Sequence, residues 1–457
     1  MDASTRNMIK WVISFLVPAT LFLIPTNEVY TFEMNVFLVI TLWAVLMFMF
    51  ELLNTTIISI ALTFGYCISG IASLSVALAP WTTPTIWMVF CSLVMVYVVQ
   101  DTSLLKRIAY HLIIWTGGTY QGILYGIAAL SIVACFLIPS LMTSFAIMAL
   151  AYGICQALNI KKGKTSGGIM LVSALSFLEA GNFLYIPQTT GVAVGAINQI
   201  TTLPMNSWLY LKHNIVFLPL VFLLTFMIGK LMKPEQPIDG KEYFEKELAN
   251  LGAMTAVDKK ILTILIALVV YLFTCQWHGF DMLYGFIGAT ILMFIPKIGI
   301  GEKKHIEMVD MGTIIFCASC MGIGNVGAAV GIGPALSSVL LPYLGGLNSI
   351  AFVGIIFIVG VLANILMTPL ALITILAPPL AQIAMDMGIT AYPIAYTLCM
   401  AGNNLLFPYE NTIVLICFGF GLIYMKDFVK VLGAKLILCF IYLLVIGVPY
   451  WMLLNLA

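Results

Sequence analysis

Runs of about 20 consecutive apolar residues, the length a helix needs to cross the hydrocarbon of a bilayer, recur along the whole chain. They fall near 9–25, 32–51, 54–77, 85–100, 168–200, 212–232, 259–276, 280–296, 310–331, 391–425 and 434–455. Each predicts a transmembrane helix. Two further apolar blocks, 119–158 and 350–385, are each about forty residues long, too long for one crossing. Polar residues interrupt both at the middle: Pro139-Ser140-Leu141-Met142-Thr143-Ser144 in the first and Asn364-Ile365-Leu366-Met367-Thr368-Pro369 in the second. Such a block is either two full spans or a re-entrant hairpin that turns at mid-membrane. Neither tip carries the charge or glycine of an extramembrane turn, so both read as hairpins.

Composition closes other routes. Of the 457 residues 62% are hydrophobic and only 9% charged, where a soluble domain carries about 25% charged residues. The stretches 52–100, 108–160 (His111 apart) and 311–384 hold no charge, and the mean hydropathy is +1.09. This is an all-α polytopic membrane protein. Twenty Lys+Arg against 19 Asp+Glu leave +1, which offers no basic face for nucleic acid. The 10 cysteines sit almost wholly inside apolar runs and read as packing residues; Cys317 and Cys320 have no second pair to make a metal site. Arg6 and Lys10 ahead of the first apolar run imitate a signal peptide. With no small-residue cleavage site and more spans to follow, an uncleaved first span fits better.

Charge also orients the chain. With both long blocks re-entrant and the other runs crossing once, every one of the 20 Lys+Arg except Lys212 falls on one side, Lys426, Lys430 and Lys435 included. By the positive-inside rule that side is the cytoplasm. The N-terminus is then cytoplasmic and the C-terminus outside, in a plasma membrane of the bacterial inner-membrane kind. The first hairpin has both feet inside and the second both feet outside. Equivalent elements entering from opposite faces are the sign of an inverted-topology repeat.

A sequence repeat supports the duplication. Leu141-Met142-Thr143 matches Leu366-Met367-Thr368, and Ala180-Gly181-Asn182-Phe183-Leu184-Tyr185-Ile186-Pro187 matches Ala401-Gly402-Asn403-Asn404-Leu405-Leu406-Phe407-Pro408, at offsets of 225 and 221. The runs containing the second match, 168–200 and 391–425, exceed the roughly 20 residues of a crossing. Each holds Gly-Asn, then Pro, then polar residues: Gln188-Thr189-Thr190-Gly191 and Tyr409-Glu410-Asn411-Thr412. Proline deletes an i→i−4 hydrogen bond and glycine permits unwinding, so both are predicted to be discontinuous helices. Broken backbone at membrane depth is tolerated only inside protein or beside a water-filled cavity.

Two hairpin tips and two breaks would bring four half-helix N-termini near the midplane, each with about half a positive charge and free N–H groups. No Lys or Arg is expected there. An anion would be held by these N-termini and by hydroxyls and amides, with Ser140, Thr143, Ser144, Asn182, Gln188, Thr189, Thr190, Asn364, Thr368, Asn403, Asn404, Asn411 and Thr412 as the candidates. Unwound carbonyls and half-helix C-termini suit co-bound cations. Glu179 and Glu410 lie beside the breaks, where a carboxylate must be paired, protonated or metal-bound. They are the candidate coupling-ion or proton residues, together with Asn182 and Asn403. No cofactor is expected beyond Na⁺ or H⁺ as coupling ion.

Other motifs read as structure. Gly322-Ile323-Gly324-Asn325-Val326-Gly327 fits G-x-G-x-x-G but lies in an apolar span and follows no strand, so it reads as helix packing. His111, His213, His278 and His305 are dispersed. Residues 101–118 pattern as a helix on the membrane surface, and 233–258 as a short amphipathic cytoplasmic linker between the halves.

The order of spans, hairpin, broken helix and inverted second copy resembles the divalent anion/sodium symporter family of dicarboxylate, citrate and sulfate carriers. Asp101 to Leu112 resembles that family's basic surface helix, and Tyr409-Glu410-Asn411-Thr412-Ile413-Val414 its Pro-Pro-Asn-Ala-Ile-Val run, with Asn411 at the Asn. The tips depart from it. Where the family reads Ser-Asn-Thr, only Thr143 and Thr368 carry over, each preceded by Met, and Glu410 replaces a proline. The resemblance implies a homodimer whose mobile transport domain moves through the membrane beside a scaffold, as in elevator-type alternating access. The implied division is 1–118 as scaffold, 119–232 as transport elements, 233–258 as linker, 259–349 as scaffold and 350–457 as transport elements.

Matched breaks on opposite faces have a purpose in a transporter and none in a channel or receptor, and no acid–base set or nucleophile points to an enzyme. The expected activity is cation-coupled carriage of a small organic anion of the di- or tricarboxylate class. The alternative is a proton-coupled carrier or exchanger of a monocarboxylate or other small solute, with Glu410 as the proton site.

Overall fold

A polar residue opens most of the helices. Thr119 accepts from Gly122 N, Asn206 from Leu209 N, Asp281 from Leu283 N and Asn348 from Ala351 N, each occupying one of the N–H groups a helix start leaves unpaired. The computed structural model describes residues 3–50, 52–234, 237–238, 240–335, 338, 342, 346–365, 368–406 and 410–457. All its regular structure is helical. In chain order the main helices are α1 (Ala3–Ala19), α2 (Phe32–Phe50), α3 (Thr55–Ile68), α4 (Pro84–Gln100), α5 (Leu104–Trp115), α6 (Tyr120–Leu137), α7 (Thr143–Ala157), α8 (Lys164–Ala180), α9 (Val192–Ile197), α10 (Ser207–Leu231), α11 (Lys241–Asn250), α12 (Ala256–His278), α13 (Met282–Phe294), α14 (Met311–Ala329), α15 (Ser349–Asn364), α16 (Pro369–Asp386), α17 (Tyr392–Gly402), α18 (Thr412–Gly419) and α19 (Met425–Leu453).

Six described helices are long and apolar enough to cross a bilayer alone: α2, α6, α10, α14, α16 and α19. Several others are shorter because turns interrupt them. The run expected over 54–77 stops at Ile68 and resumes as the short turn Leu74–Ala77. The surface helix is present as α5, bent by 73° from α4. Glycines of the G-x-G-x-x-G segment lie in α14 at close approaches: a Cβ on Gly322 would meet Ala77 O at 3.2 Å and one on Gly327 would meet Phe37 at 3.1 Å.

Two equivalent series follow one another, α6–α7, α8–α9 and α10, then α15–α16, α17–α18 and α19. In each, both arms of the hairpin pack against the first half of the broken helix. The second halves cross over: α9 packs on α16, and α18 on α8. A ladder of bonds fixes the relative direction. Gly163 N and Ser166 Oγ donate to Leu422 O, Cys417 Sγ to Met170 O, and Asn403 Nδ2 to Leu178 O. Residue numbers rise along one broken helix as they fall along the other, so the two copies are antiparallel. This is an inverted-topology repeat.

The segment joining the copies is pinned to the surface helix. α11 packs on α5, and Arg107 donates to Gly252 O and Leu251 O at 2.7 Å and to Ala253 O at 3.1 Å while pairing with Asp258 at 3.4 Å. One guanidinium thereby satisfies three carbonyls at the end of a helix, a use suited to its fixed fork of donors.

Candidate functional site

The first break begins where α8 ends at Ala180 and lasts until Pro187 opens a wide turn, Pro187–Gly191, that leads into α9. The second lies between α17 and α18, and Pro408 and Tyr409 within it fall outside the described residues, as do Leu366 and Met367 of the second tip. A helix that stops in an apolar interior leaves carbonyls that something must satisfy. Here side chains from elsewhere do so. At the first break Asn403 Nδ2 donates to Leu178 O at 3.3 Å and Tyr210 OH to Gly181 O at 2.8 Å. At the second, Asn364 Nδ2 donates to Gly402 O at 3.3 Å and Asn404 Nδ2 to Met400 O at 2.8 Å.

Each hairpin tip touches the break of its own copy. Ser140, fully buried, accepts from Gln188 Nε2 at 3.0 Å, and the same amide donates to Ser92 Oγ of α4 at 2.8 Å. Asn364, from the second tip, reaches Gly402 as above. Thr143 and Ser144 are buried and turn back on their own tip, to Ile138 O at 3.0 Å and Leu141 O at 2.6 Å. Thr189 is half-buried and leans on Ile186 O, whereas Thr190 is buried in the wide turn.

A side chain that the sequence reading put elsewhere joins the two breaks. Lys435 was expected among the cytoplasmic lysines, and no cation was expected at the breaks. The structure corrects both points, because α19 starts at Met425, well before the apolar run does, and carries Lys435 into the interior. Its ammonium pairs with Glu179 Oε1 at 2.7 Å, and neither side chain has any exposed surface. It also donates to Asn403 O at 2.7 Å and Asn404 Oδ1 at 3.2 Å. Glu179 takes a further bond from Asn182 Nδ2 at 2.7 Å. A carboxylate at the negative end of the α8 dipole is poorly placed by itself; the ammonium and the amide offset that. The caps differ between the copies: Tyr210 serves Gly181 O at the first break, whereas the matching Gly402 O takes Asn364 Nδ2 and Lys435 serves the next carbonyl, Asn403 O.

The remaining candidates divide. Glu410 is buried and accepts from Leu406 N at 3.3 Å, spanning the second break. Asn411 caps α18 by accepting from Ile413 N at 2.9 Å, and Thr368 caps α16 by accepting from Ala371 N at 3.4 Å. Thr412 is exposed. Glu179, Asn182, Asn403 and Asn404 therefore meet around Lys435 in one buried polar group, with Asn364 bonded to the adjoining Gly402. Ser140 and Gln188 form a second buried group with Ser92, and Thr143, Ser144 and Thr190 lie buried in the same tip and turn. In these two groups Asn182 Oδ1, Gln188 Oε1 and Asn364 Oδ1 are buried acceptors with no hydrogen-bond donor among the described residues. Buried acceptors in this state are costly unless a ligand, ion or water meets them.

Two open clefts lie away from these groups. One, about 430 Å³ between α3 and α14, is lined by Ile60, Phe64, Trp81 and Met311. The other, about 550 Å³, lies between α5 and α7 beside Lys106, Tyr110 and Phe145. The first is an apolar outer groove, and the second also carries Gln100, Thr102 and Tyr243.

Comparison with known proteins bears on the same architecture. The family model described as the sodium:sulfate symporter transmembrane region matches residues 5–457. A membrane protein of Cupriavidus necator is 24% identical over 283 residues, 60% of this chain and 55% of that protein, so the match spans about half of that relative's length. The inner membrane protein YbhI of Escherichia coli is 23% identical over 402 residues, 85% of this chain and 84% of its own. Among solved structures, the crystal structure of the YdaH transporter of Alcanivorax borkumensis superposes with a TM-score of 0.52 at 14% identity, covering 80% of this chain and 85% of that one. That likeness concerns the fold.

Proposed function

The chain belongs to the sodium:sulfate symporter transmembrane family and is a membrane carrier of that type, not an enzyme; from this premise we propose that it moves a small organic anion of the di- or tricarboxylate class, coupled to cations, by elevator-type alternating access. The observation that carries the proposal is that each buried tip bonds to the break of its own copy and that the two breaks bond to each other, in antiparallel copies. An anion at this place would face the N-terminal ends of α7 and α16, whose dipoles favour negative charge. Gln188, Ser140, Asn182, Asn364 and Asn403 are the side chains in reach of it. Thr143, Ser144, Thr189 and Thr190 line the tip and turn of the first copy; Thr368, Asn411 and Thr412 contribute by setting helix starts in the second.

The two copies act in the proposal as one moving body. α6–α10 and α15–α19 form the transport elements, and α1–α5 with α12–α14 the scaffold, within a homodimer in an inner membrane with the N-terminus cytoplasmic. In elevator-type alternating access the moving body carries the site from one side to the other, and antiparallel halves let it present that site in equivalent ways to each.

A second reading is favoured by Glu410, a buried carboxylate at the second break besides the one that Lys435 neutralises. In that reading a proton is the coupling ion and a monocarboxylate the cargo. Uptake into proteoliposomes of labelled succinate, citrate, sulfate and lactate, driven in turn by a Na⁺ jump and a pH jump, tests both. Uptake of a di- or tricarboxylate on the Na⁺ jump, lost in Gln188→Ala, supports the first reading. Uptake of lactate on the pH jump alone supports the second. No uptake under any gradient contradicts both.

A further inference from the structure

The ammonium of Lys435 sits in an unusual setting. Its partners are all oxygen: Glu179 Oε1 at 2.7 Å, Asn403 O at 2.7 Å and Asn404 Oδ1 at 3.2 Å. They come from both copies, the carboxylate from the end of α8 and the other two from the unwound residues after α17. An exposed carbonyl and amide at the negative end of a half-helix, plus a carboxylate, is the donor set in which carriers with discontinuous helices hold a coupling cation. A salt bridge kept only for packing would engage Glu179 alone. This one also takes the oxygens the break leaves open, from a stem that enters across α19.

The two breaks are treated differently. At the first, Gly181 O is capped by the neutral hydroxyl of Tyr210, and Asn182 Oδ1 has no donor among the described residues. At the second, the amide oxygen of Asn404 and the carbonyl of Asn403 are both taken by a fixed positive charge. The position 221 residues before Lys435 is Asn214, so the charge has no counterpart in the first copy.

We infer that Lys435 is a tethered cation, its ammonium filling the oxygen-lined position at the end of α17 that a mobile coupling cation would otherwise take, with Glu179 as its counter-charge. The inference rests on the carrier reading and refines its coupling: this position adds no cation dependence to the native protein. Removing the ammonium vacates a three-oxygen site whose negative charge remains. A monovalent metal ion then binds there, and binding to the folded state alone raises its stability by mass action.

The test uses the purified full-length protein in detergent without anionic substrate. Melting temperatures are compared in about 100 mM choline, sodium, lithium and potassium chlorides for the native protein, Lys435→Ala, Lys435→Ser and Lys435→Ala/Glu179→Gln. The expected result is a loss of melting temperature for both single variants in choline. At least one metal chloride restores at least half of that loss, a response exceeding the native protein's in the same salt. The double variant, lacking the counter-charge, gains no such response. The proposal is overturned if the single variants melt at the same temperature in every salt, or if they are unfolded in all of them. Anion uptake by the native protein is read separately: its absence ends the carrier reading and leaves the cation response standing, whereas a missing cation response ends the tethered-cation inference and leaves uptake untouched.

Discussion

Breaking the Glu179–Lys435 pair from one side should be costly, and removing both charges far less so. The pair is at 2.7 Å with neither side chain exposed. Deleting one partner of such a pair leaves an uncompensated buried charge, which costs about 3–5 kcal/mol, whereas apolar or neutral replacement of both is often close to neutral. Lys435→Met leaves Glu179 with the amide of Asn182, and Glu179→Gln leaves the ammonium with two neutral oxygens. An unfolding entropy of about 2.1 cal/mol/K per residue over the full chain makes 1 kcal/mol worth roughly 1 °C. Each single variant should therefore melt about 3–5 °C below the native protein in choline buffer, and the double variant Lys435→Met/Glu179→Gln within about 2 °C of it. Tryptophan fluorescence of detergent-solubilised protein during a thermal ramp measures all four corners of the cycle. Losses that add, with a coupling below about 0.5 kcal/mol, would refute the reasoning, since contacting groups in one network do not behave independently.

Two further outcomes follow from the caps on the broken elements. Tyr210→Phe strips the donor from Gly181 O while keeping the ring; an unsatisfied buried carbonyl costs about 1–3 kcal/mol, so the variant should melt roughly 1–3 °C lower and transport more slowly, and a melting temperature equal to the native one would argue against it. Arg107→Ala removes the donor to Leu251 O, Gly252 O and Ala253 O, so limited trypsin digestion should cleave at the exposed Lys241 and Lys246 several-fold faster, and an unchanged cleavage rate would show that the linker is held by other means.

The hairpins and breaks were legible because proline, glycine and asparagine interrupt runs that are otherwise apolar, and hydrogen-bond loss in lipid leaves few explanations for such interruptions. The repeat was legible because Ala180-Gly181-Asn182 and Ala401-Gly402-Asn403 occupy the same place in each copy, and the antiparallel ladder from Leu178 to Asn403 and from Met170 to Cys417 has the direction the hairpins implied. Lys435 was hidden by the arithmetic of loop charge. A lysine at the edge of an apolar run is indistinguishable from a flanking one until the helix start is known, and α19 begins at Met425. The available signal was its position just past Leu432-Gly433-Ala434, already apolar, together with an unpaired Glu179 in the other copy. Asn411 is expected from sequence at a break and Thr368 at a tip, both as solute-binding candidates, yet the same short side chains that bind ligands also cap helices, and both cap here. No sequence pattern separates the two uses.

The central claim is that inverted copies bring their tips and breaks together inside the protein to hold a solute that is exposed to each side in turn. Single cysteines at Ser140 and Asn364, in a background where the ten native cysteines are replaced, can be probed with a membrane-impermeant maleimide in right-side-out and inside-out vesicles. The account predicts slow labelling that depends on the state of the carrier, reaches each site from both sides, and is suppressed by a transported anion. Rapid, complete labelling from one side only, indifferent to every anion and gradient, would contradict it.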